Sequence, residues 1–523
     1  MLLWSLYRRL ILALFIAETQ SHAEIESPWL VCGEEKLSCK FSHNCGAMVP
    51  CSRWGRFLAV ALVLLLTLVP SVEGHLKRPQ HPPEAPAPVP APSIAPAPPP
   101  AVPSPAPVPR PSPAPPPKPP TTPPTNPPPR PTPVSPAPRP DPLPPKPRLY
   151  FTDEEINNGT ALAKLNLRAL KNARAMNTPQ THLGDNNPCQ GAFVPMRKEW
   201  RSLPPPERKD FIAAVQCLMR EPTLSDPKRA PMAKSLYDDF LAVHYGSFKN
   251  THFTASFFAW HRYYIATFEQ RLRAQCALPY WEWGLDINNP AASPVFDGSE
   301  TSLGSDGEFI PHDGLQLRQP FTKNIITLKP GSGGGCLKEG PFKDMRVHIG
   351  PSALAQYGTD KPFNVSSPLE DLPRCLKRDL NKDVAARFNS FRNTTLLILQ
   401  QTTIKNFASL LQGDDRFFPD TLGVYGGGRL IIGGDPGADP VIAPGDPAFW
   451  LHLAQVDRVY WIWQNLNFQF RQDVFGTLTL QDNPPSPNGS VEDVIDLGPI
   501  NSPLKIKTLM NTASGAPLCY MYE

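Results

Sequence analysis

Proline is concentrated in one segment of this chain, and that segment cannot contribute to a folded core. Residues 75–148 hold a large share of the 70 prolines among the 523 residues, in APAP, SPAP and PPP runs. Proline fixes φ and lacks a backbone N–H, so such a stretch adopts extended polyproline II. At roughly 3.1 Å per residue it would reach about 230 Å. The sequence predicts a disordered, basic stalk, either an inert spacer or an attachment to an extracellular matrix or wall polymer.

An apolar run lies just before the stalk. Two arginines precede residues 57–69, which are mostly apolar, and small residues follow. This arrangement is typical of a secretory signal peptide, and the run is short for a membrane span. We therefore predict that translation starts at Met48, that residues 48–74 are a signal peptide, and that residues 1–47 belong to an over-extended gene prediction. In the alternative, residues 1–23 are the signal and residues 57–69 anchor the chain in a membrane.

Residues 149–523 are numerous enough to form one large domain with its own core. An even number of cysteines allows three disulfides in an oxidising compartment, with fifteen possible pairings. Together with four glycosylation sequons, this pattern predicts a secreted glycoprotein. The net charge of +4 gives no indication of a nucleic-acid partner. The cysteines are Cys189, Cys217, Cys276, Cys336, Cys375 and Cys519, and the sequon asparagines are Asn158, Asn364, Asn393 and Asn488.

Apolar periodicity predicts a mainly helical domain. The predicted helices cover residues 205–220, 234–246, 256–275 and 446–466, with a further helical stretch over 384–411. Long segments rich in glycine, proline and serine separate them, notably residues 284–340. The triglycine at 426–428 lacks the lysine and hydroxyl residue of a phosphate-binding loop, so we interpret it as a close-packing hinge.

Three histidines are spaced for a metal site. His244, His252 and His261 stand in the segment FLAVHYGSFKNTHFTASFFAWHRYYIATFEQRLR, with seven and eight residues between them. Imidazole nitrogens suit copper, and two helices and a loop would bring these three together. A single inward histidine is more often a hydrogen-bonded core residue, but three in this arrangement favour a mononuclear copper cup. The second helix carries His261 in the apolar stripe of Phe258, Ile265, Phe268 and Leu272, and His244 shares a face with Leu236 and Phe240.

The sequence around these histidines resembles that of the tyrosinase family, in particular its short fungal-like and algal members. SFFAWHRYYIATFEQRL is similar to the family pattern F-x-x-WHR-x-Y-x-x-x-FE-x-x-L, and LPYWEW, GPFKDMRV and the final CYMY also match. The resemblance covers most of residues 189–522. It implies a tyrosinase-like fold, which we predict as an antiparallel four-helix bundle with long loops and a few short strands around copper. It also implies the chemistry of a type-3 copper polyphenol oxidase, with a phenolic small molecule as substrate.

The second copper site of that family is altered in this chain. The family uses two histidines four residues apart and the second histidine of an HH pair, and these positions hold Tyr425, Arg429 and Leu453. Leucine has no donor atom, arginine remains a cation, and tyrosine has a reference pKa of about 10. His452 stays a candidate ligand, although adjacent helix positions point about 100° apart. We therefore expect one copper ion, or two if other residues rebuild the second site.

Charged and aromatic residues near this site are given structural interpretations. Arg429 is interpreted either as a fixed positive charge in place of the second copper or as a partner for Asp446 or Asp457. Glu269 and Asp457 are interpreted as orienting nearby arginine or histidine side chains. The aromatic residues Trp450, Tyr460, Trp461 and Trp463 are interpreted as core.

Two functions follow as hypotheses. Two coppers together supply the two electrons by which family members activate dioxygen, whereas one copper supplies one. The substitutions therefore favour a secreted tyrosinase-like copper-binding protein without dinuclear oxidase activity. The alternative is an active tyrosinase or catechol oxidase that converts phenols or catechols to o-quinones. We expect neither a nucleic-acid partner nor a stable membrane span.

Overall fold

The computed structural model describes residues 150–176, 189, 194–272, 277–352, 371–513 and 517–523. The predictions for residues 1–47, 48–74 and 75–148, including the alternative anchor at 57–69, lie outside the described residues. Within the described ranges, no helix is long and apolar enough to cross a membrane. The helices are α1 Asp153–Asn157, α2 Thr160–Met176, α3 Pro205–Leu218, α4 Leu236–Thr251, α5 Phe257–Leu272, α6 Lys382–Phe388, α7 Phe391–Gln400, α8 Ile404–Gln412, α9 Gly423–Ile432 and α10 Pro447–Asn465.

The strands form short pairs rather than a sheet that could hold a core. β1 (Met196–Arg197) pairs in parallel with β10 (Met521–Tyr522), which brings residues 521–522 beside the segment that precedes α3. The other pairs are antiparallel: β2 (Gly307–Phe309) with β5 (Gly334–Leu337), β3 (Leu315–Arg318) with β4 (Ile325–Leu328), β6 (Arg346–Val347) with β7 (Arg374–Cys375), and β8 (Val494–Ile495) with β9 (Leu504–Lys505). The fold is therefore mainly helical, with strands that fasten its loops.

The predicted helices agree with α3, α4, α5 and α10 to within a few residues at each end, and α4 extends furthest beyond its prediction. The stretch predicted over 384–411 is three helices instead of one. The side chains of Asn381, Ser390 and Thr403 each accept a hydrogen bond from a backbone N–H at a helix start. Such caps satisfy the free N–H groups of a first turn, so each one begins a new helix.

The interpretation of the triglycine as a close-packing segment is confirmed, but its interpretation as a hinge was wrong. Residues 426–428 lie inside α9, not in a hinge. Glycine weakens an isolated helix by roughly 1 kcal/mol relative to alanine, so local propensity argues against this helix. Close packing explains it: a Cβ at Gly427 would overlap Phe388 and Asn389 on the neighbouring helix. Tertiary contacts with α6, α8 and α10 therefore hold α9 in place.

Helix α10 is central to the molecule. It contacts α2, α5, α7 and α9, and every one of its residues is buried. A helix that is buried on all sides has no solvent face, so its apolar pattern shows little periodicity. The predicted core role of Trp450, Tyr460, Trp461 and Trp463 is confirmed, since each is at most 2% exposed.

A buried charge network joins α5, α10 and the C-terminal strand. One carboxylate oxygen of Asp457 accepts a hydrogen bond from Arg262 at 2.8 Å. The other accepts from the hydroxyls of Tyr520 and Tyr522 at 2.7 Å each, and lies 3.5 Å from Arg197. Burial by itself raises the pKa of Asp457, but Arg262 and Arg197 together hold that pKa below its usual value. The interpretation of Asp457 as an arginine-orienting residue is confirmed.

Disulfides link segments that are distant in the sequence. Cys189 pairs with Cys519 across 330 residues, and Cys336 pairs with Cys375. Cys217 is also disulfide-bonded, whereas Cys276 lies outside the described residues. A link across a long loop restricts the unfolded chain more than one across a short loop. The Cys189–Cys519 disulfide closes the same end of the molecule that β1 and β10 join.

Candidate metal centre

Three buried histidines converge between α4 and α5. His244 lies on α4, His252 is the residue that ends this helix, and His261 lies in the second turn of α5. One ring nitrogen from each lies within 4.8 Å of the others. Ser235 and Asp238 cap the start of α4 reciprocally, which fixes where the helix begins and therefore which face carries His244. The predicted trio is brought together by the fold.

Backbone carbonyls orient all three rings. The Nδ1–H groups of His244, His252 and His261 donate to the carbonyls of Val441, Phe248 and Phe257, at 2.6, 3.3 and 2.8 Å. Each Nε2 is then the unprotonated nitrogen of its ring, the one that can bind a metal ion. The Nε2 atoms of His244 and His261 are buried without a hydrogen-bond partner among the described residues. Such orphaned acceptors, with the second nitrogen held by a carbonyl, fit a three-histidine metal site.

Burial keeps these rings neutral. It lowers the pKa of His244 from 6.5 to about 4 and that of His261 to about 3, and it also lowers the pKa of His252. Neutral imidazole is the form that binds metal, because a protonated ring has no free lone pair. The trio is therefore ready to bind a metal at neutral pH.

The same shifts predict how the stability of the metal-free protein depends on pH. Below pH 6.5 the histidines are protonated in the unfolded chain but not in the folded chain. The free energy of unfolding therefore has its full value above pH 6.5 and decreases as the pH falls towards 4. Each histidine should lower the free energy of unfolding by about 1.4 kcal/mol per pH unit in this window. Urea unfolding in a chelator at pH 7, 6 and 5 measures this. A flat profile would contradict it.

Tyr425 reaches into the trio from α9. Its hydroxyl lies 2.7 Å from the Nε2 atom of His252. Its ring stacks on His452, with centroids 5.7 Å apart and an interplanar angle of 27°. Burial raises the pKa of Tyr425, and the charge of Arg429 offsets part of this rise. The phenol therefore occupies the side of the trio that faces α9 and α10.

Arg429 brings a positive charge to the same side. Its guanidinium donates to the carbonyls of Ala438 and Gly437. Secondary to burial, its charge also lowers the pKa of His244, His252 and His452. The predicted pairing of Arg429 with Asp446 or Asp457 was wrong, because those carboxylates bind other arginines. Asp446 binds Arg378, and Asp457 binds Arg262.

Comparison with known proteins identifies the fold. Residues 234–466 match the tyrosinase family, described as the common central domain of tyrosinase. Over 337 residues the chain is 34% identical to Tyrosinase P of Aspergillus terreus. The aligned region covers 62% of this chain and 91% of that protein. The chain belongs to the tyrosinase family.

Two further similarities agree with membership of the tyrosinase family. The N-acetyl-6-hydroxytryptophan oxidase ivoB of Emericella nidulans is 32% identical over 362 residues, which is 65% of this chain and 95% of the relative. A mutant polyphenol oxidase from Thermothelomyces thermophila superposes with a TM-score of 0.64 at 32% identity, covering 71% of this chain and 100% of that one. The tyrosinase family binds copper, so copper is the metal that this histidine trio is expected to hold.

The remaining histidines lie apart from the trio. His312 is 3.2 Å from Asp379, His348 is 2.9 Å from Asp371, and His182 lies outside the described residues. Across the described ranges, the histidine trio is the one group of three or more histidine, cysteine or acidic residues placed to hold a metal ion. His452 is not part of that group.

His452 is packed tightly instead. The side chain is fully buried, and burial lowers its pKa to about 3. The ring lies against Tyr425, Phe449 and Trp283. Gly428 makes room for it, because a Cβ there would overlap two ring atoms of His452. Sequence periodicity did not reveal this role, since α10 is buried on every side.

A Gly428→Ala substitution is expected to destabilise the protein by about 1–3 kcal/mol, the usual cost of overpacking a core. The added methyl group would press on the His452 ring and lie 3.1 Å from the Trp283 nitrogen. Gly246→Ala is the matched control, because a Cβ there meets nothing within 4 Å. In this exposed helical position alanine should stabilise slightly. Urea unfolding of both variants measures the difference, and equal effects would contradict the packing role.

A cavity of about 220 Å³ opens beside the trio. His252, Tyr425 and Arg429 line it together with largely apolar walls, including Phe248, Leu317 and Ile326. The last two belong to the β3–β4 hairpin, which comes from the long segment 284–340 that the sequence indicated as loop. Concave apolar sites with a few polar groups are typical of small-molecule binding. His252, Tyr425 and Arg429 therefore belong both to the metal centre and its immediate surroundings and to the wall of this cavity.

Proposed function

We propose that this tyrosinase-family chain binds a single copper ion at His244, His252 and His261 and lacks the dinuclear oxidase reaction. The observation that carries the proposal is the Tyr425 hydroxyl, 2.7 Å from His252 Nε2, on the side where the family places its second metal. Arg429 contributes a cation there, and Leu453 offers a buried aliphatic side chain without a donor atom. A second copper ion would meet repulsion and too few ligands.

The chain's own residues then act on the bound metal and on a ligand. The backbone carbonyls of Val441, Phe248 and Phe257 hold the imidazoles in the tautomer that binds copper. Copper supplies a one-electron redox centre when it is bound. The surrounding burial keeps water away from the trio, and the cavity leads to its Tyr425 side.

A phenolic small molecule is the proposed occupant of the cavity. The apolar walls accept an aromatic ring, and Arg429 adds a positive charge that favours a phenolate or another aromatic anion. Gln412 and Gln319 also line the cavity and offer hydrogen bonds to ring hydroxyls. Calorimetric titration with catechol tests this ligand class, and we expect Arg429→Gln to weaken binding.

An active tyrosinase or catechol oxidase is the second candidate, favoured by the oxidase names of the relatives. The two candidates differ in copper content. After copper loading of the full chain, we expect elemental analysis to give one copper per chain and an o-quinone assay with catechol to give no product. Replacement of His244 and His261 by glutamine should remove the copper. Two coppers per chain together with quinone formation would overturn the proposal.

We also propose the organisation predicted from the sequence. The metal would lie in an antiparallel bundle of α4, α5, α9 and α10, carried on the proline-rich stalk of residues 75–148. Secretion after cleavage near Gly74 agrees with the disulfides of the domain. Asn158 and Asn488 are exposed and open to glycosylation, whereas the Asn393 amide donates to the Arg387 carbonyl. N-terminal sequencing of the mature protein tests the cleavage, and attachment of the stalk to a wall polymer is tested by wall extraction.

A further inference from the structure

Tyr425 is placed differently from the other buried tyrosines near the metal centre. Its hydroxyl is directed at a histidine nitrogen, whereas the hydroxyl of Tyr264, whose ring lies 5.9 Å from that of His244, donates to the Phe240 carbonyl at 2.8 Å. Of the three Nε2 atoms of the trio, that of His252 has a hydrogen-bond partner among the described residues, and this partner is Tyr425.

We propose that Tyr425 is the fourth donor of the single copper site, giving a site of three histidines and one tyrosinate. This inference rests on the proposed function, since it needs one copper at the trio. At metal–ligand bonds of roughly 2 Å, two ligands at right angles lie roughly 2.8 Å apart. The distance of 2.7 Å between the Tyr425 oxygen and the His252 nitrogen is therefore the separation of neighbouring ligands as well as of a hydrogen bond.

The surroundings hold the phenol in this position. Its ring packs edge-on against Phe257, with centroids 5.1 Å apart, and stacks on His452. Gly428 leaves the space that lets His452 support the ring from behind. A ligand held by packing on rigid helices loses little conformational freedom when it binds.

A positive charge lies near the phenol. Arg429 is one helical turn beyond Tyr425 on α9 and lines the same cavity, so an anionic oxygen formed on coordination would have a cation nearby. Coordination would break the phenol O–H bond and form a copper–oxygen bond, and the released proton would pass to solvent through the cavity that Tyr425 lines. An anionic oxygen ligand would offset more of the positive charge of copper(II), and it would therefore stabilise copper(II) relative to copper(I).

A tyrosinate ligand gives the site a property that can be measured without any activity. Phenolate bound to copper(II) produces a charge-transfer band in the visible spectrum, whereas three imidazoles alone do not. It also lowers the reduction potential of the copper. Such a site would favour stable copper(II) over reaction of copper(I) with dioxygen, which gives a physical role to the tyrosine that replaces a histidine.

The test compares the full-length protein with Tyr425→Phe and with the control Tyr264→Phe after loading with one equivalent of copper(II). Copper content, the visible spectrum, electron paramagnetic resonance and the reduction potential are measured on each. We expect one copper and a charge-transfer band in the unmodified protein and in Tyr264→Phe. In Tyr425→Phe we expect copper to be retained, the band to disappear and the reduction potential to rise.

Several results would overturn the inference. One copper per chain without the band, or a band that persists in Tyr425→Phe, would show that Tyr425 is no ligand while leaving the proposed function intact. Tighter copper binding by Tyr425→Phe without a band in the unmodified protein would show that the hydroxyl blocks His252. Two coppers per chain would overturn the proposed function and, with it, the assignment of Tyr425 to a single copper site. A chain that binds no copper would overturn both.

Discussion

The triple variant Tyr425→His, Arg429→His, Leu453→His is expected to raise the copper content from one towards two per chain. The change removes the Arg429 cation and the Tyr425 phenol, and it supplies three imidazoles at the positions that we propose correspond to the second copper site of the tyrosinase family. Elemental analysis after copper loading measures the gain. Because the two changes on α9 are one helical turn apart, they present both new rings on the same face.

A matched control tests whether all three donors are needed. Tyr425→His with Arg429→His leaves Leu453 in place, and we expect this double variant to hold a second copper weakly or not at all. A triple variant that stays at one copper while keeping its fold would contradict the assignment of these positions. Recovery of o-quinone formation in the triple variant would show that the rest of the oxidase site is intact.

Asp457→Ala is expected to lower the free energy of unfolding by about 3–5 kcal/mol, the usual cost of removing one partner of a buried ion pair. The guanidinium groups of Arg197 and Arg262 are fully buried and would lose their shared carboxylate. The hydroxyls of Tyr520 and Tyr522 would lose their acceptor as well, which would loosen the C-terminal strand. Urea unfolding at neutral pH measures the effect.

The control for this variant is an exposed carboxylate with two lysine partners. Glu492 pairs with Lys505 and Lys507 at the surface, where solvent screens the charges. Glu492→Ala should therefore leave the urea midpoint almost unchanged. Similar losses in the two variants would show that the Asp457 network does not anchor the C-terminal strand to the helices.

The metal centre was predictable from the sequence to the extent that it depends on local spacing. His244, His252 and His261 lie within one short stretch, and two helices and a turn suffice to bring them together. The contact between Tyr425 and His252 joins residues 173 positions apart, and no local pattern specifies its direction. The sequence could indicate that Tyr425 replaces a ligand, but it could not indicate that its hydroxyl is directed at the trio.

Two parts of the fold were not predictable for related reasons. Helix α9 contains three successive glycines, so its stability comes from neighbouring helices and not from its own residues. Helix α10 is buried all round, so the orientation of His452 could not be read from periodicity. The pairing of Cys189 with Cys519 depends on the contact between the β1 region and the C-terminal strand, which the spacing of cysteines does not encode.

Main-chain carbonyls hold the three histidines, and this affects how the metal centre tolerates mutation. His252 and His261 each bond to the carbonyl four residues earlier, at Phe248 and Phe257, and His244 bonds to that of Val441. Every amino acid supplies that carbonyl, so substitutions at these three supporting positions leave the hydrogen-bond acceptors in place. The histidine trio can therefore keep its geometry when the supporting residues are substituted. At the proposed second-copper positions the ligands themselves are replaced, so substitutions there can change the chemistry of the site.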